Sequence, residues 1–323
     1  MSLALTITGI VLLLAGGASL VRGATSLAST FGVSPLVVGL TVVAFGTSAP
    51  ELVVNVLGAV QSETELAFGN VLGSNIANIG LVLGAAALIA PVTIQGAVVL
   101  REIPLLVLTK AMLVVMCLDP LLKGQAGVLD RADALLLLLM MTVFMYMMAR
   151  DLLADRQDQL VAQVAELQIA ERFSQGSRDV VWIIAGIVLL AGGGQLTIYG
   201  GVQLAESLGI PKIIVGMAVI GVGTSMPELV TSIIAAKRRE ADLCVGNVIG
   251  SNLFNSLFVL PTSALVTPIL VPDHGLRDVI VSSLFILILI PIFVVGKASM
   301  GRSAGALLLS CYVGYMVYAT LSA

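Results

Sequence analysis

Two stretches of this chain, GTSAPELVVN from Gly46 to Asn55 and GTSMPELVTS from Gly223 to Ser232, each place a glutamate directly after a proline inside a long apolar run. If those runs are membrane helices, an ionised side chain at their centre costs on the order of 2.5–3.5 kcal/mol on insertion scales, so Glu51 and Glu228 each need a partner. Lys110 is the only cation deep in any apolar run. One lysine cannot neutralise two equivalent carboxylates, whereas a metal cation between them could. The neighbouring polar residues fit such a cage. Thr47, Glu51 and Asn55 stand at i, i+4 and i+8, as do Thr224, Glu228 and Ser232, so each set lines one helix face. Ser74 with Asn78, and Ser251 with Asn255, form further i, i+4 pairs. Every one of these side chains supplies an oxygen, the donor that hard cations such as Ca²⁺ and Na⁺ prefer, and the N and S donors of softer metals are missing. Pro50 and Pro227 add backbone oxygens, because a proline has no N–H to give and leaves carbonyls one turn earlier, near Ala44–Gly46 and Gly221–Gly223, free to coordinate.

The elements that must hold these groups follow from composition. Of 323 residues 58% are hydrophobic and 11% charged, with mean hydropathy +1.09, whereas a soluble domain is roughly a quarter charged. The chain reads as an integral membrane protein. Ten apolar runs long enough to cross a bilayer have cores near 3–21, 34–60, 67–90, 103–118, 132–148, 180–198, 213–236, 245–266, 279–295 and 304–321. The first lacks the basic flank of a signal peptide and is expected to be a helix. If the charged stretch Arg150–Asp179, read as an interfacial amphipathic helix plus linker, is cytoplasmic, then Arg22, Arg101, Lys237, Arg238, Arg239, Lys297 and Arg302 share its side. Lys123, Arg131, Lys212 and Arg277 are left opposite. Both termini are then extracytoplasmic, and the expected location is the plasma (cell inner) membrane. No basic patch larger than Lys237–Arg239 suggests a nucleic-acid partner, and no obligate protein partner or cofactor is implied. The cysteines, Cys117, Cys244 and Cys311, lie singly without metal-like spacing and read as small buried packing residues, and His274 reads as a solvated loop residue.

A shift of about 177 residues lays Gly32–Pro91 over Gly209–Pro268 without a gap, with about 26 of 60 positions identical. The same shift pairs Gly9 with Gly186 and Gly23 with Gly200. The chain is a duplication, divided into a first five-helix repeat at 1–149, a linker at 150–178 and a second repeat at 179–323. Five helices is an odd number, so the second half enters the membrane from the opposite side. The fold class expected is an all-α integral membrane protein with ten transmembrane helices as two inverted five-helix repeats, whose site lies at mid-depth where the repeats meet. Glu51 lies about two thirds of the way along its run, as does Glu228, so oppositely threaded copies bring both to similar depth.

Other conserved-looking pairs between the halves have plainer readings. Gly69, Gly73, Gly246 and Gly250 are spaced for close helix packing. Asn70, Asn75, Asn247 and Asn252 are either interhelical hydrogen-bond partners or ion contacts. Glu51 and Glu228 could instead be carboxylates kept protonated by desolvation. Lys110 and the cluster Asp130, Arg131, Asp133 are read as snorkelling or membrane-edge groups without a site role.

With the paired GTSxPE motif and the paired GNVLGSNIAN (69–78) and GNVIGSNLFN (246–255) in view, the chain resembles the sodium/calcium exchanger branch of the cation/calcium antiporter superfamily, prokaryotic type. The two alpha repeats of that family resemble 39–91 and 216–268. The resemblance implies a central Ca²⁺ site built by Glu51 and Glu228. It also implies flanking Na⁺ sites that borrow Thr47, Ser48 and Ser74 from one repeat and Thr224, Ser225 and Ser251 from the other, completed by the carbonyls of Ala44 and Gly221. One position departs from a common family pattern: Asn255, matching Asn78, stands where many exchangers place an aspartate, leaving two carboxylates rather than three.

The function expected is secondary antiport of Ca²⁺ against Na⁺ by alternating access, an electrogenic extrusion of Ca²⁺ with the two ions as substrates. The alternative is Ca²⁺/H⁺ antiport on the same fold. A cation channel needs no occluded site. An intramembrane enzyme is not supported, because no GxGD pair, HExxH or serine with a histidine partner falls in any span.

Overall fold

A computed structural model describes residues 2–93, 98–119, 124, 127–162, 169–208, 221–296 and 298–322. Among the described residues seven helices are long and apolar enough to cross a membrane: Ser2–Phe31, Thr64–Ile89, Arg131–Asp151, Gln175–Leu204, Ala241–Val266, Gly275–Val295 and Arg302–Leu321. An eighth span is broken, Pro35–Thr47 followed by Ala49–Val60 with a 45° bend between them. Of the other two expected spans, Ile103–Met116 is a helix of 14 residues. The seventh run is described only from Gly221 onward; its first part lies outside the described residues, as do Lys123, Lys212 and Lys297.

The duplication legible in the sequence is carried into the elements residue for residue. Ala49–Val60 and Met226–Lys237, Thr64–Ala77 and Ala241–Phe254, and the π-helical turns opening at Asn78 and Asn255 all correspond under the one shift. So do Ser62 and Arg239, which share a left-handed backbone at φ 64° and 63°. Among the described residues four two-residue strands, absent from an all-helical expectation, sit in the loops: β1 (Val92–Thr93), β2 (Val128–Leu129), β3 (Ile269–Leu270) and β4 (Ser299–Met300). β1 pairs antiparallel with β4 and β2 with β3. The shift carries β1 onto β3, and each strand pair joins one repeat to the other. These strands tie the ends of apolar runs together, and the framework remains helical.

Two spans form the centre. Ala241–Val266 is 94% buried and Thr64–Ile89 72%, against 17% for Arg302–Leu321. Around them, large apolar side chains such as Leu3, Leu139, Val188 and Leu321 are exposed, as a lipid-facing surface requires. Cys117 and Cys244 are buried as expected, whereas Cys311 is exposed on this outer surface. The helices Ser2–Phe31 and Ile169–Ser207 lie against each other on a glycine seam. A Cβ on Gly9, Gly16 or Gly23 would stand 2.4 to 2.9 Å from atoms of Thr197, Leu190 and Asp179 or their neighbours, and one on Gly186, Gly193 or Gly200 meets Leu20, Leu13 and Thr6 as closely. Helices in lipid associate by such close backbone approach, having no hydrophobic drive between them.

The charged stretch 150–178 is not a separate interfacial helix in its described parts. The helix begun at Arg131 runs on to Ala162, and the next begins at Ile169. Asp151–Ala162 carries Leu, Ala, Gln and Arg with no glycine or proline, a composition that prolongs a helix. Residues 163–168 lie outside the described residues.

Candidate cation site

Both glutamates sit where a helix starts over. The segment Ala44–Thr47 ends at Ser48 (φ −88°, ψ 4°), and a new helix begins at Ala49; in the second repeat Ser225 (φ −89°, ψ 6°) precedes Met226–Lys237. Pro50 gives no N–H to the carbonyl of Gly46 four residues back, and Pro227 none to Gly223, which breaks each helix at that point. Glu51 and Glu228 therefore occupy the first turn of their segments, not a place two thirds along a continuous helix. There the unpaired N–H groups and the positive end of the helix dipole favour a carboxylate.

The broken helices bring the two acids together. Glu51 and Glu228 are both 0% exposed, and Ser48, three residues before Glu51, reaches the Glu228 carboxylate. Contacts between the repeats surround them. Ser48 Oγ donates to Glu228 Oε1 at 3.0 Å, and Thr47 Oγ1 lies 3.0 Å from Asn247 Oδ1 and 3.4 Å from Ser251 Oγ. Asn247 Nδ2 donates to Ser232 Oγ at 2.9 Å. Asn247 thus serves as a hydrogen-bond bridge, and Asn252, whose Nδ2 donates to Val248 O at 2.9 Å on its own helix, is likewise bonded.

What distinguishes the region is how many buried polar atoms have no hydrogen-bond partner. They include both oxygens of Glu51, Glu228 Oε2, Ser74 Oγ, Ser225 Oγ and the side-chain amides of Asn78 and Asn255. Folded proteins leave few buried polar groups unpaired, and each calls for an explanation such as an ion. Asn78 and Asn255 each open a π-helical turn, a distortion frequent at functional sites. A cavity of about 20 Å³, room for about one water, lies beside Pro50, Thr224 and Pro227, with Gln195 of the sixth span on its other wall. Among the described residues no group of three or more His, Cys, Asp or Glu could hold a metal, so any ion here rests on two carboxylates and neutral oxygens.

Of the expected ligands, Thr47, Ser48, Glu51, Ser74, Asn78, Ser225, Glu228, Ser251 and Asn255 are buried and Thr224 is half-buried. The Ala44 carbonyl is already engaged, accepting the Ser48 N–H at 3.0 Å and the Thr47 hydroxyl at 3.3 Å. Gly221 opens the three-residue helix before the second break. One polar residue escaped the sequence reading. Ser256 Oγ accepts from Asn75 Nδ2 at 3.0 Å and from Lys110 Nζ at 3.1 Å, which anchors the buried lysine. Its signal was available, because the shift pairs Ser256 with Ile79, a polar residue added where the other repeat is apolar.

Comparison with known proteins extends over both repeats. The family model described as "Sodium/calcium exchanger protein" matches residues 1–150 and 179–321. The inner membrane protein YrbG of Escherichia coli (strain K12) is 36% identical over 269 residues, 82% of this chain and 80% of its own. The sodium/calcium exchanger MaX1 of Methanosarcina acetivorans is 27% identical over 334 residues, covering 96% and 95%. Among solved structures, the sodium-calcium exchanger NCX_Mj soaked with 10 mM Na⁺ and zero Ca²⁺ matches with a TM-score of 0.83 at 26% identity, over 98% of both chains.

Proposed function

Because the chain belongs to the sodium/calcium exchanger family, a family of transporters and not of enzymes, we propose that it exchanges Ca²⁺ for Na⁺ across the cell membrane, extruding Ca²⁺ as Na⁺ enters. The observation that carries this reading is the meeting of Glu51 and Glu228, both fully buried, amid hydroxyl and amide groups that have no protein partner. Two carboxylates desolvated together are strongly disfavoured. One Ca²⁺ or two Na⁺ cancels their charge, and both ions compete for the same oxygens, so the pocket holds one cargo or the other. Any further Na⁺, held by Thr47, Ser48, Ser74 and their counterparts Thr224, Ser225 and Ser251, is net charge moved, and the exchange is electrogenic. Alternating access follows because the closed form admits only a neutralised pocket, so ions and not empty carriers cross.

The membrane orientation belongs to the same proposal, with both termini extracytoplasmic. Its support is the side shared by Arg22, Arg101 and Lys237–Arg239, and the Arg101–Asp151 ion pair at 2.5 Å joining the start of the fourth run to the end of the fifth. The test is radiolabelled Ca²⁺ uptake into proteoliposomes loaded with Na⁺ and diluted into Na⁺-free buffer. Uptake that follows the Na⁺ gradient and ignores an imposed pH gradient is expected. Uptake driven by a pH gradient without Na⁺ would replace this reading with Ca²⁺/H⁺ antiport.

A further inference from the structure

The paired helices Ser2–Phe31 and Ile169–Ser207 enclose a polar cavity of about 350 Å³, lined by Arg22, Ser26, Gln175, Arg178, Asp179 and Trp182. None of these residues belongs to the cation site. The Arg22 guanidinium lies 4.8 Å above the Trp182 ring, and Arg178 gives one N–H to Gln175 Oε1. Asp179 is 2% exposed. Its carboxylate accepts from Thr30 Oγ1 at 3.1 Å and from Gln175 Nε2 at 3.4 Å, and that same amide reaches Ser26 Oγ at 3.3 Å. Among the described residues neither arginine is paired with a carboxylate. Among the described lining residues two guanidinium groups stand against one committed carboxylate.

We propose that this cavity binds a phosphate oxyanion held between the first and sixth spans by Arg22 and Arg178. Each guanidinium presents five N–H donors in a planar fork that matches phosphate oxygens two at a time. The oxyanion belongs either to an anionic phospholipid headgroup or to a soluble phosphate. The lipid is the favoured source, because Trp182 is 42% exposed on the same wall, as a ring lying at headgroup level is, and basic pockets between membrane helices suit anionic headgroups. An anion gripped by one arginine from each helix fastens the two together at one end and biases how the pair moves against the rest of the protein. This inference is independent of which ion couples to Ca²⁺.

Trp182 is the only tryptophan of the chain, so its fluorescence reports this cavity alone. The full-length protein in a neutral detergent is titrated with short-chain phosphatidylglycerol, short-chain phosphatidylcholine or inorganic phosphate, with choline chloride balancing ionic strength. A saturable change with phosphatidylglycerol and not phosphatidylcholine is expected, weakened about tenfold in Arg178→Gln, the loss of one charged hydrogen-bonding partner. That variant keeps the Arg22–Trp182 stack and hence the signal. Arg178→Lys, which keeps the charge and loses the fork, falls between, and it serves if the glutamine variant does not fold. Saturation by inorganic phosphate at similar concentration supports the site with free phosphate as its ligand. The absence of a saturable response, or the same response in wild type and both variants, overturns the proposal.

Discussion

Ser48 Oγ donates to Glu228 Oε1 at 3.0 Å, whereas the counterpart hydroxyl on Ser225 is buried without a partner and both oxygens of Glu51 are equally bare. Two repeats with the same motif thus hold their acids differently: Glu228 is gripped from across the interface and Glu51 is not. A hydrogen bond to a charged group contributes about 1.5–3 kcal/mol. Ser48→Ala is therefore expected to raise the half-saturating Ca²⁺ concentration in proteoliposome flux by about tenfold or more, and Ser225→Ala by less. Equal effects of the two substitutions would mean that the difference between repeats does not govern binding.

Glu51→Gln and Glu228→Gln each remove one of the two charges that meet the cation. At an effective dielectric near 20, a unit charge pair at 4 Å is worth about 4 kcal/mol, and a divalent ion feels it twice. Ca²⁺ flux is expected to fall by at least about a hundredfold in either variant, with the protein still folded by size-exclusion elution. Wild-type flux in both variants would remove these residues from the site.

Exchange of one Ca²⁺ for more than two Na⁺ moves charge, worth about 2.3 kcal/mol per 100 mV for each elementary charge that crosses the whole field. In Na⁺-loaded proteoliposomes taking up Ca²⁺, net positive charge leaves, so an inside-positive potential set with a K⁺ ionophore is expected to speed uptake and an inside-negative one to slow it. Uptake indifferent to both potentials points to electroneutral exchange.

Gly250 and Gly246 hold the eighth span against the π turn Gly39–Val43. A Cβ at Gly250 would lie 2.6 Å from Leu40 O and 2.7 Å from the Ala44 Cβ, and at Gly246 2.7 Å from Leu36 O. Backbone cannot step aside as a flexible side chain can, and overpacking costs about 1–3 kcal/mol. Gly250→Ala and Gly246→Ala are expected to lower the unfolding temperature in detergent, followed with a thiol dye that reaches buried Cys117 and Cys244 only on opening. An unchanged transition would show that this contact is not close in solution.

Lys110, 1% exposed, offers a contrasting case. Replacing a buried charge by an apolar chain of similar volume is often neutral or stabilising. Lys110→Met leaves Ser256 its bond from Asn75, so thermal stability is expected to stay within about 1.5 kcal/mol of wild type and Ca²⁺ flux to persist. Complete loss of flux in a folded variant would give the lysine a role in transport.

The duplication was legible because two stretches of sequence under the same membrane constraints retain the same polar residues, and the structure extends the one shift to helix ends, π turns and the left-handed Ser62 and Arg239. The oxygen-bearing types at Thr47, Glu51, Thr224 and Glu228 were legible for the same reason. The break at Ser48 and Ser225 was less so. Proline announces a lost hydrogen bond, but whether a helix bends through it or starts afresh depends on packing against the other repeat. The engagement of the Ala44 carbonyl by Ser48 N–H was likewise invisible, since sequence does not say which free acceptor finds a donor. The packing reading holds for Gly246 and Gly250. Gly69 and Gly73 meet no described residue within 4 Å, and the shift points them at 213–221, most of which lies outside the described residues.

The glycine seam between Ser2–Phe31 and Ile169–Ser207 recurs every seven residues on both helices, at Gly9, Gly16 and Gly23 and at Gly186, Gly193 and Gly200. Main chain pressed on main chain leaves no rotamer to yield, so the two helices form a single stiff pair, packed at Gly17 and Gly194 against Met226–Lys237, the helix that carries Glu228. If the exchange proposed above runs by alternating access, such a pair would have to swing as one piece.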